Sequence, residues 1–235
     1  MNEQVVLITG GVGNLGRAVT RAFLQRGSRV AVPVYKTDHP EVVEELRAEF
    51  GDRLFLFALD LTTERGAAAA IRDVLDWSGQ LDAVVHLVGG YSGGARVAET
   101  PIEVWDRMID LNLKSAWLVA HAALPTMLER GGGSFVFVSS RAARERRRGR
   151  TAYAVAKAAL LTFVEALAEE YRMEGIRANA ILPGTIDTEA NRRRMPDADH
   201  ANWTRPEEIA ETILFLTSWE ARTINGAAIP VYGRS

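Results

Sequence analysis

Short runs of consecutive apolar residues alternate along the chain with longer stretches in which apolar residues return every third or fourth position. The first run, residues 4–9 ("QVVLIT"), stops at Gly10-Gly11. The stretch that follows, 15–27, sets Leu15, Val19 and Phe23 on one helical face and ends at Gly27. The same alternation predicts further strands over 28–34, 53–61, 81–90, 132–140, 176–184 and 227–233. It predicts helices over 40–51, 62–79, 100–128, 151–175 and 205–218. Pro33 inside the second run suits a strand end or a sheet edge. Thr100 and Glu103 have capping-box spacing, with Pro101 at the first helical position. In 151–175, Ala156, Ala159, Leu160, Phe163 and Leu167 share a face.

Seven strands alternating with six helices, the strands apolar on both faces, predict an α/β, doubly wound, Rossmann-type fold with a seven-stranded parallel sheet. No linker, repeat or composition break divides the 235 residues, so one domain over 1–235 is expected. Composition changes this picture little. Apolar residues make up 47% and charged residues 25%, with a net charge of −2, so no overall field draws the chain to nucleic acid or a membrane. No apolar run approaches the ~18 residues of a membrane span, and the opening residues lead to the expectation of no signal peptide. Cysteine is absent, which excludes disulfides and thiolate chemistry; a cytoplasmic location is the expectation, and no metal site is expected.

Chemistry enters at "TGGVGNLG", between the first strand and the first helix. Gly10, Gly13 and Gly16 allow a sharp turn, and Asn14 and Leu15 lie at the start of a helix whose N-terminus favours a phosphate. The alternative is a tight strand-to-helix turn without a ligand. The second strand ends on Tyr35 and Lys36 rather than on a carboxylate, with Asp38 further along, which leans toward NADP over NAD.

Tyr153 and Lys157 stand four residues apart on a predicted helix and so share a face. A lysine ammonium beside a phenol favours the phenolate and would bring it down from ~10 toward neutral pH. With this pair the sequence resembles the short-chain dehydrogenase/reductase family over essentially its whole length. "YAVAK" matches the family's YxxxK; Ser140, thirteen residues earlier, matches its serine, and Asn112 in "DLNLKS" its asparagine. Asn179 to Gly184 resembles an N-x-x-x-P-G segment whose Pro183, Gly184, Ile186 and Thr188 would contact the nicotinamide side. Asp60 and Leu61 match an acidic pair beside the adenine; Asp60 is also a candidate helix cap. Gly89 closes "HLVG" where relatives read N-N-A-G, and His86 in that string reads as a packed strand-end residue. The glycine spacing, with Asn14 at a family glycine, is nearer the extended branch, whereas the length and Pro183-Gly184 fit the single-domain branch.

The resemblance implies hydride transfer between NAD(P) and a carbonyl or alcohol, as in a 3-oxoacyl-thioester or general ketone reductase. Tyr153 would be the acid, Lys157 would lower its pKa and hold the ribose, Ser140 would bind the substrate oxygen, and Asn112 would hold a relay water. A non-catalytic dinucleotide sensor and a pteridine-reductase- or epimerase-like activity are the alternatives. Homodimers or homotetramers, joined around Ala116 and Phe163, are expected from the family. Tyr91, Met195 and Trp203 are candidate pocket residues. Six arginines between 141 and 150, and Arg192 to Arg194, fall in two predicted loops at one mouth. They either steer an anionic substrate or are solvated or ion-paired.

Overall fold

The apolar runs pair side by side in a computed structural model, which describes residues 3–35 and 39–234. Lys36 and Asp38 lie outside the described residues. The strands are β1 (Val5–Thr9), β2 (Arg29–Val34), β3 (Leu54–Ala58), β4 (Ala83–His86), β5 (Gly133–Val138), β6 (Ile176–Pro183) and β7 (Ala228–Val231). They form one sheet in the order β3-β2-β1-β4-β5-β6-β7, and every pairing is parallel. The chain runs outward from β1 to β3, then returns to place β4 on the other side of β1. That reversal opens a crevice at the carboxyl ends of β1 and β4, where Thr9 lies opposite His86.

Successive strand residues face opposite ways, so an apolar run serves two cores. Leu7 and Val84 pack with Phe135, Phe137 and Leu160 on one face. Val6, Ile8, Phe23, Ile213 and Leu216 pack on the other. The first core is covered by α3 (Glu64–Ser78), α5 (Ser115–Glu129) and α6 (Thr151–Glu170); the second by α1 (Gly16–Gln25), α2 (Pro40–Phe50) and α8 (Pro206–Thr217). Two shorter helices complete the described α-helices, α4 (Ile102–Ile109) and α7 (Glu189–Arg194).

Pro33 sits in an interior strand, not at an edge. It is the penultimate residue of β2, beyond Ala31, the last residue of β2 to pair with β1, so its missing N–H falls where that ladder has ended. The cap expected at Thr100 does not form. Pro101 is extended and holds Thr100 extended too, so α4 starts at Ile102 and the Thr100 hydroxyl donates to Arg96 O at 2.9 Å. The cap of α3 is Thr63, whose Oγ1 accepts Gly66 N–H at 3.1 Å, while Asp60 Oδ1 accepts from Thr62 at 2.9 and 2.6 Å.

The long helix over 100–128 is interrupted. Between α4 and α5 a π-turn, Asp110–Lys114, widens the coil around Asn112. In α6 an 18-residue window reaches a mean hydropathy of 1.4, enough in length and composition to cross a membrane, contrary to expectation. Its apolar face, with Leu160, Val164 and Leu167, is instead spent on the first core.

Candidate active site

The carboxyl ends of β1, β4, β5 and β6 bring the singled-out residues to one side of the sheet. After β1 the chain turns through Gly10 (φ +70°), with Gly13 N–H bonded to Gly10 O at 3.1 Å. A Cβ on Gly16 would overlap the Gly10 carbonyl oxygen and lie 2.7 Å from Gly11 C, so only glycine lets α1 begin this close to β1. No side chain caps α1. Its N-terminus, with Gly10, Gly13, Asn14, Leu15 and Gly16, walls a groove of about 540 Å³. Tyr35, Asp60 and Leu61 line the groove away from that turn, and Gly89 lines it after β4. A long groove beside an uncapped helix N-terminus, with a turn that excludes a Cβ, fits a dinucleotide. His39, Thr62 and Leu111 also line it, each close in sequence to a carboxylate (Asp38, Asp60 and Asp110) but not itself marked by the sequence.

Lys157 is 5% exposed and reaches under β5, donating from Nζ to Val138 O at 2.8 Å. Its own carbonyl accepts from Ser139 Oγ at 2.8 Å. Burial pulls its ammonium down to about 8. Tyr153 shares the cavity wall with Ser140, whose hydroxyl acts on the phenol as a hydrogen-bond partner would, and meets Tyr91 edge-on, ring centroids 5.1 Å apart. Burial pushes the Tyr153 phenol up, against opposing pulls from the Ser140 bond and the Arg150 charge. This corrects the expected lowering by Lys157: its Nζ lies 6.0 Å from the Tyr153 ring centre and is engaged with Val138 O. The phenol here is held as an acid.

Asn112 is fully buried in the π-turn. Its Nδ2 donates to Gly90 O and Met108 O, each at 3.0 Å, and its Oδ1 accepts Gly90 N–H at 3.1 Å. The side chain thus ties the π-turn to the loop after β4 through backbone bonds. Gly89 fits between them: a Cβ would lie 2.8 Å from Asn112 Oδ1 and 3.2 Å from Lys157 Nζ.

A second cavity, about 670 Å³, is lined by Ser140, Tyr153, Pro183, Gly184 and Ile186. Tyr91 and Met195 line it as expected, but Trp203 does not; it packs against His200 at 4.4 Å over a separate hollow. Thr188 lines neither the groove nor this cavity; its Oγ1 caps α7, accepting Asn191 N–H at 3.2 Å. The arginine runs do approach one mouth, yet of the nine only Arg141, Arg147, Arg150 and Arg194 line the cavity. The second run lies on helix α7 rather than on a loop, with Arg192 paired to Asp187 and Arg193 to Glu189.

His86 is a packed residue, 1% exposed at the end of β4. Ser115 Oγ donates to Leu111 O at 2.8 Å, so it accepts from His86 Nε2–H at 3.2 Å. Nδ1 then accepts from the Thr9 hydroxyl at 3.0 Å. Burial first, and the Lys157 charge second, pull the imidazole down to about 3. The folded state therefore resists a proton that the unfolded chain takes up near 6.5. The stabilising effect is full above that pH and drains away as pH falls toward about 3. The urea midpoint is expected to fall further between pH 7.5 and 5.0 in the wild type than in His86→Gln; equal falls would mean that His86 titrates normally.

Ala116, expected at a subunit contact, is fully buried in the first core, and Phe163 packs edge-on to Phe137 at 5.7 Å.

Comparison with known proteins agrees with the fold. Residues 11–233 match the family model described as enoyl-(acyl carrier protein) reductase. The chain is 31% identical over 248 residues to a 2,5-dichloro-2,5-cyclohexadiene-1,4-diol dehydrogenase of Sphingobium indicum, covering 98% of this chain and 95% of that one. It is 30% identical over 242 residues to a 3-oxoacyl-(acyl-carrier-protein) reductase of Thermotoga maritima, covering 99% and 98%. The solved structure of a short-chain type dehydrogenase/reductase from Mycobacterium ulcerans superposes with a TM-score of 0.92 at 30% identity, over 98% of this chain and 89% of that one. A family model over residues 11–233 and relatives about 30% identical over nearly the whole chain, on a parallel sheet that reverses at β1, mean that the chain belongs to the short-chain dehydrogenase/reductase family of oxidoreductases.

Proposed function

We propose that the protein transfers a hydride between NADP and a small-molecule carbonyl or alcohol, with Asn112, Ser140, Tyr153 and Lys157 as its working set. The observation that carries this reading is the placing of two hydroxyls, Ser140 and Tyr153, on the wall of one cavity at the sheet's carboxyl end. Two hydroxyls on one cavity wall are a donor set for an oxygen, which favours C=O and CH–OH over an isolated C=C bond.

The nicotinamide, when bound, supplies or accepts the hydride. Gly10, Gly13 and Gly16, with Asn14 and Leu15, would hold its pyrophosphate at the α1 N-terminus. Asp60 and Leu61 would border the adenine, and Lys157 would hold the ribose beside Gly89. Pro183, Gly184 and Ile186 would border the nicotinamide side; Thr188 would act through the α7 cap. Ser140 Oγ fixes the substrate oxygen, and Tyr153, kept neutral by burial, gives its proton to that oxygen as the alkoxide forms. A phenol held as an acid suits the reducing direction. NADP is favoured over NAD because Tyr35 stands where a ribose-binding carboxylate would end β2.

A homodimer or homotetramer would use the outward face of α5, where Trp117 is 47% exposed and stacks on His121 at 4.8 Å. Titration with NADPH and with NADH, followed by cofactor fluorescence, tests the reading. NADPH is expected to bind at least ~10-fold tighter, a difference of about 1.4 kcal/mol. The reverse order would overturn the choice of cofactor, and absence of binding by either would overturn the function.

A further inference from the structure

The cavity that holds Tyr153 is lined by four arginines and a single carboxylate, on a chain whose net charge is −2. That carboxylate, Glu145, is already engaged: it meets Arg141 Nε at 2.7 Å and lies 3.8 Å from Arg147. Arg150 and Arg194 have no ion pair among the described residues. They come from different elements. Arg194 ends α7, and it is the one arginine of that helix on the cavity wall, Arg192 and Arg193 being paired to Asp187 and Glu189. Arg150 is the N-cap residue of α6, one helical turn, roughly 5 Å along the axis, before Tyr153.

Arg150 is also held in place. Its guanidinium lies over the Tyr91 ring, 5.6 Å from the centroid, and Tyr91 in turn meets Tyr153 at 5.1 Å. Its neighbour Gly149, at φ +75°, accepts Gly94 N–H at 2.7 Å, which joins the loop after β4 to the loop after β5. A Cβ on Gly149 would press on Gly94 O at 3.0 Å, so the crossing needs glycine. Two positive groups facing one cavity, neither of them ion-paired among the described residues, repel each other until an anion enters. An arginine fork suits a planar or tetrahedral oxyanion.

We propose, resting on the hydride-transfer reading of this site, that Arg150 and Arg194 together receive an anionic group carried by the substrate itself, a carboxylate, sulfonate or phosphate a few bonds from the carbonyl. The neutral end of the substrate meets Ser140 and Tyr153, and the charged end fixes which face and which carbonyl is presented.

The test compares matched ketones at constant ionic strength: a neutral ketone against analogues ending in carboxylate, sulfonate or phosphate, with NADPH. The quantity read is kcat/KM for each charged ketone divided by that for the neutral one. A ratio of ten or more in the wild type, for at least one anion, is expected. It should fall toward one in R150Q/R194Q and stay above the double variant in R150K/R194K, which keep the charge. R194Q alone changes an exposed residue and should lower the ratio even if changes at Arg150 disturb folding. In parallel, succinate, a dianion with no carbonyl to reduce, is titrated calorimetrically into wild type and R194Q. Turnover of neutral and charged ketones with a ratio near one, or a ratio unmoved by the substitutions, overturns the anion site and leaves the hydride-transfer reading intact. No turnover of any ketone, with succinate binding that weakens in R194Q, overturns the hydride-transfer reading and supports the anion site. Neither turnover nor succinate binding sinks both.

Discussion

Tyr153→Phe is expected to lower kcat for carbonyl reduction by ~10²–10⁴-fold, the usual contribution of a positioned proton donor. NADPH affinity should stay within about threefold, and the fold should be kept. The substitution removes one hydroxyl that can bond the Ser140 side chain and leaves the ring in its edge-on contact with Tyr91. Loss of such a bond costs about 1 kcal/mol, a shift of ~2–4 °C in Tm for a protein of this size. Steady-state kinetics and a thermal melt decide the matter. If kcat stays within tenfold of wild type, the proton comes from elsewhere. The nearby Tyr91 phenol is then the first suspect, and loss of the remaining activity in the Tyr91/Tyr153 double Phe variant would identify it.

Gly16→Ala carries the second largest expected effect. The new Cβ would overlap the Gly10 carbonyl oxygen and press on Gly11 C at 2.7 Å and Gly10 C at 2.8 Å. These are backbone atoms, so no side chain can swing aside, and the turn between β1 and α1 must open. Overpacking of this kind costs roughly 1–3 kcal/mol, or ~3–10 °C in Tm. The opened turn also moves the α1 N-terminus away from the groove, so NADPH binding should weaken by about two orders of magnitude or more. Gly13→Ala is the internal control: its Cβ would meet only Gly10 O, at 3.3 Å, and should cost clearly less. A Gly16→Ala protein that melts and binds NADPH like the wild type would contradict the described turn.

The strands and long helices are legible in the sequence because burial imposes a period, and period survives in one dimension. The glycine turn and the Tyr153–Lys157 spacing are legible for the same reason: both are local. What is not legible depends on partners far along the chain. Nothing in "DLNLKS" announces a π-turn; it is held by Asn112 bonding to Gly90, 22 residues away. The state of Tyr153 could not be read from Lys157 alone, because burial and Tyr91, which arrives from another loop, push the phenol the other way. Helix α7 has no apolar period; Thr188 caps it, and Arg193 pairs with Glu189 one turn away. Ala116 and Trp117 show how little error a face tolerates: one residue, about 100° around the helix, separates a fully buried alanine from an exposed tryptophan.

The Gly94–Gly149 hydrogen bond makes the two loops it joins mechanically a single piece. Residues inserted into one without the other would pull that seam apart and carry Tyr91 and Arg150 with it. The rim of the site is therefore asymmetric, riveted along this side and adjustable along α7. Efforts to retune which molecules the enzyme accepts have most room at Arg194 and Met195, and least at Gly93, where a Cβ would crowd Gly149 O at 2.9 Å.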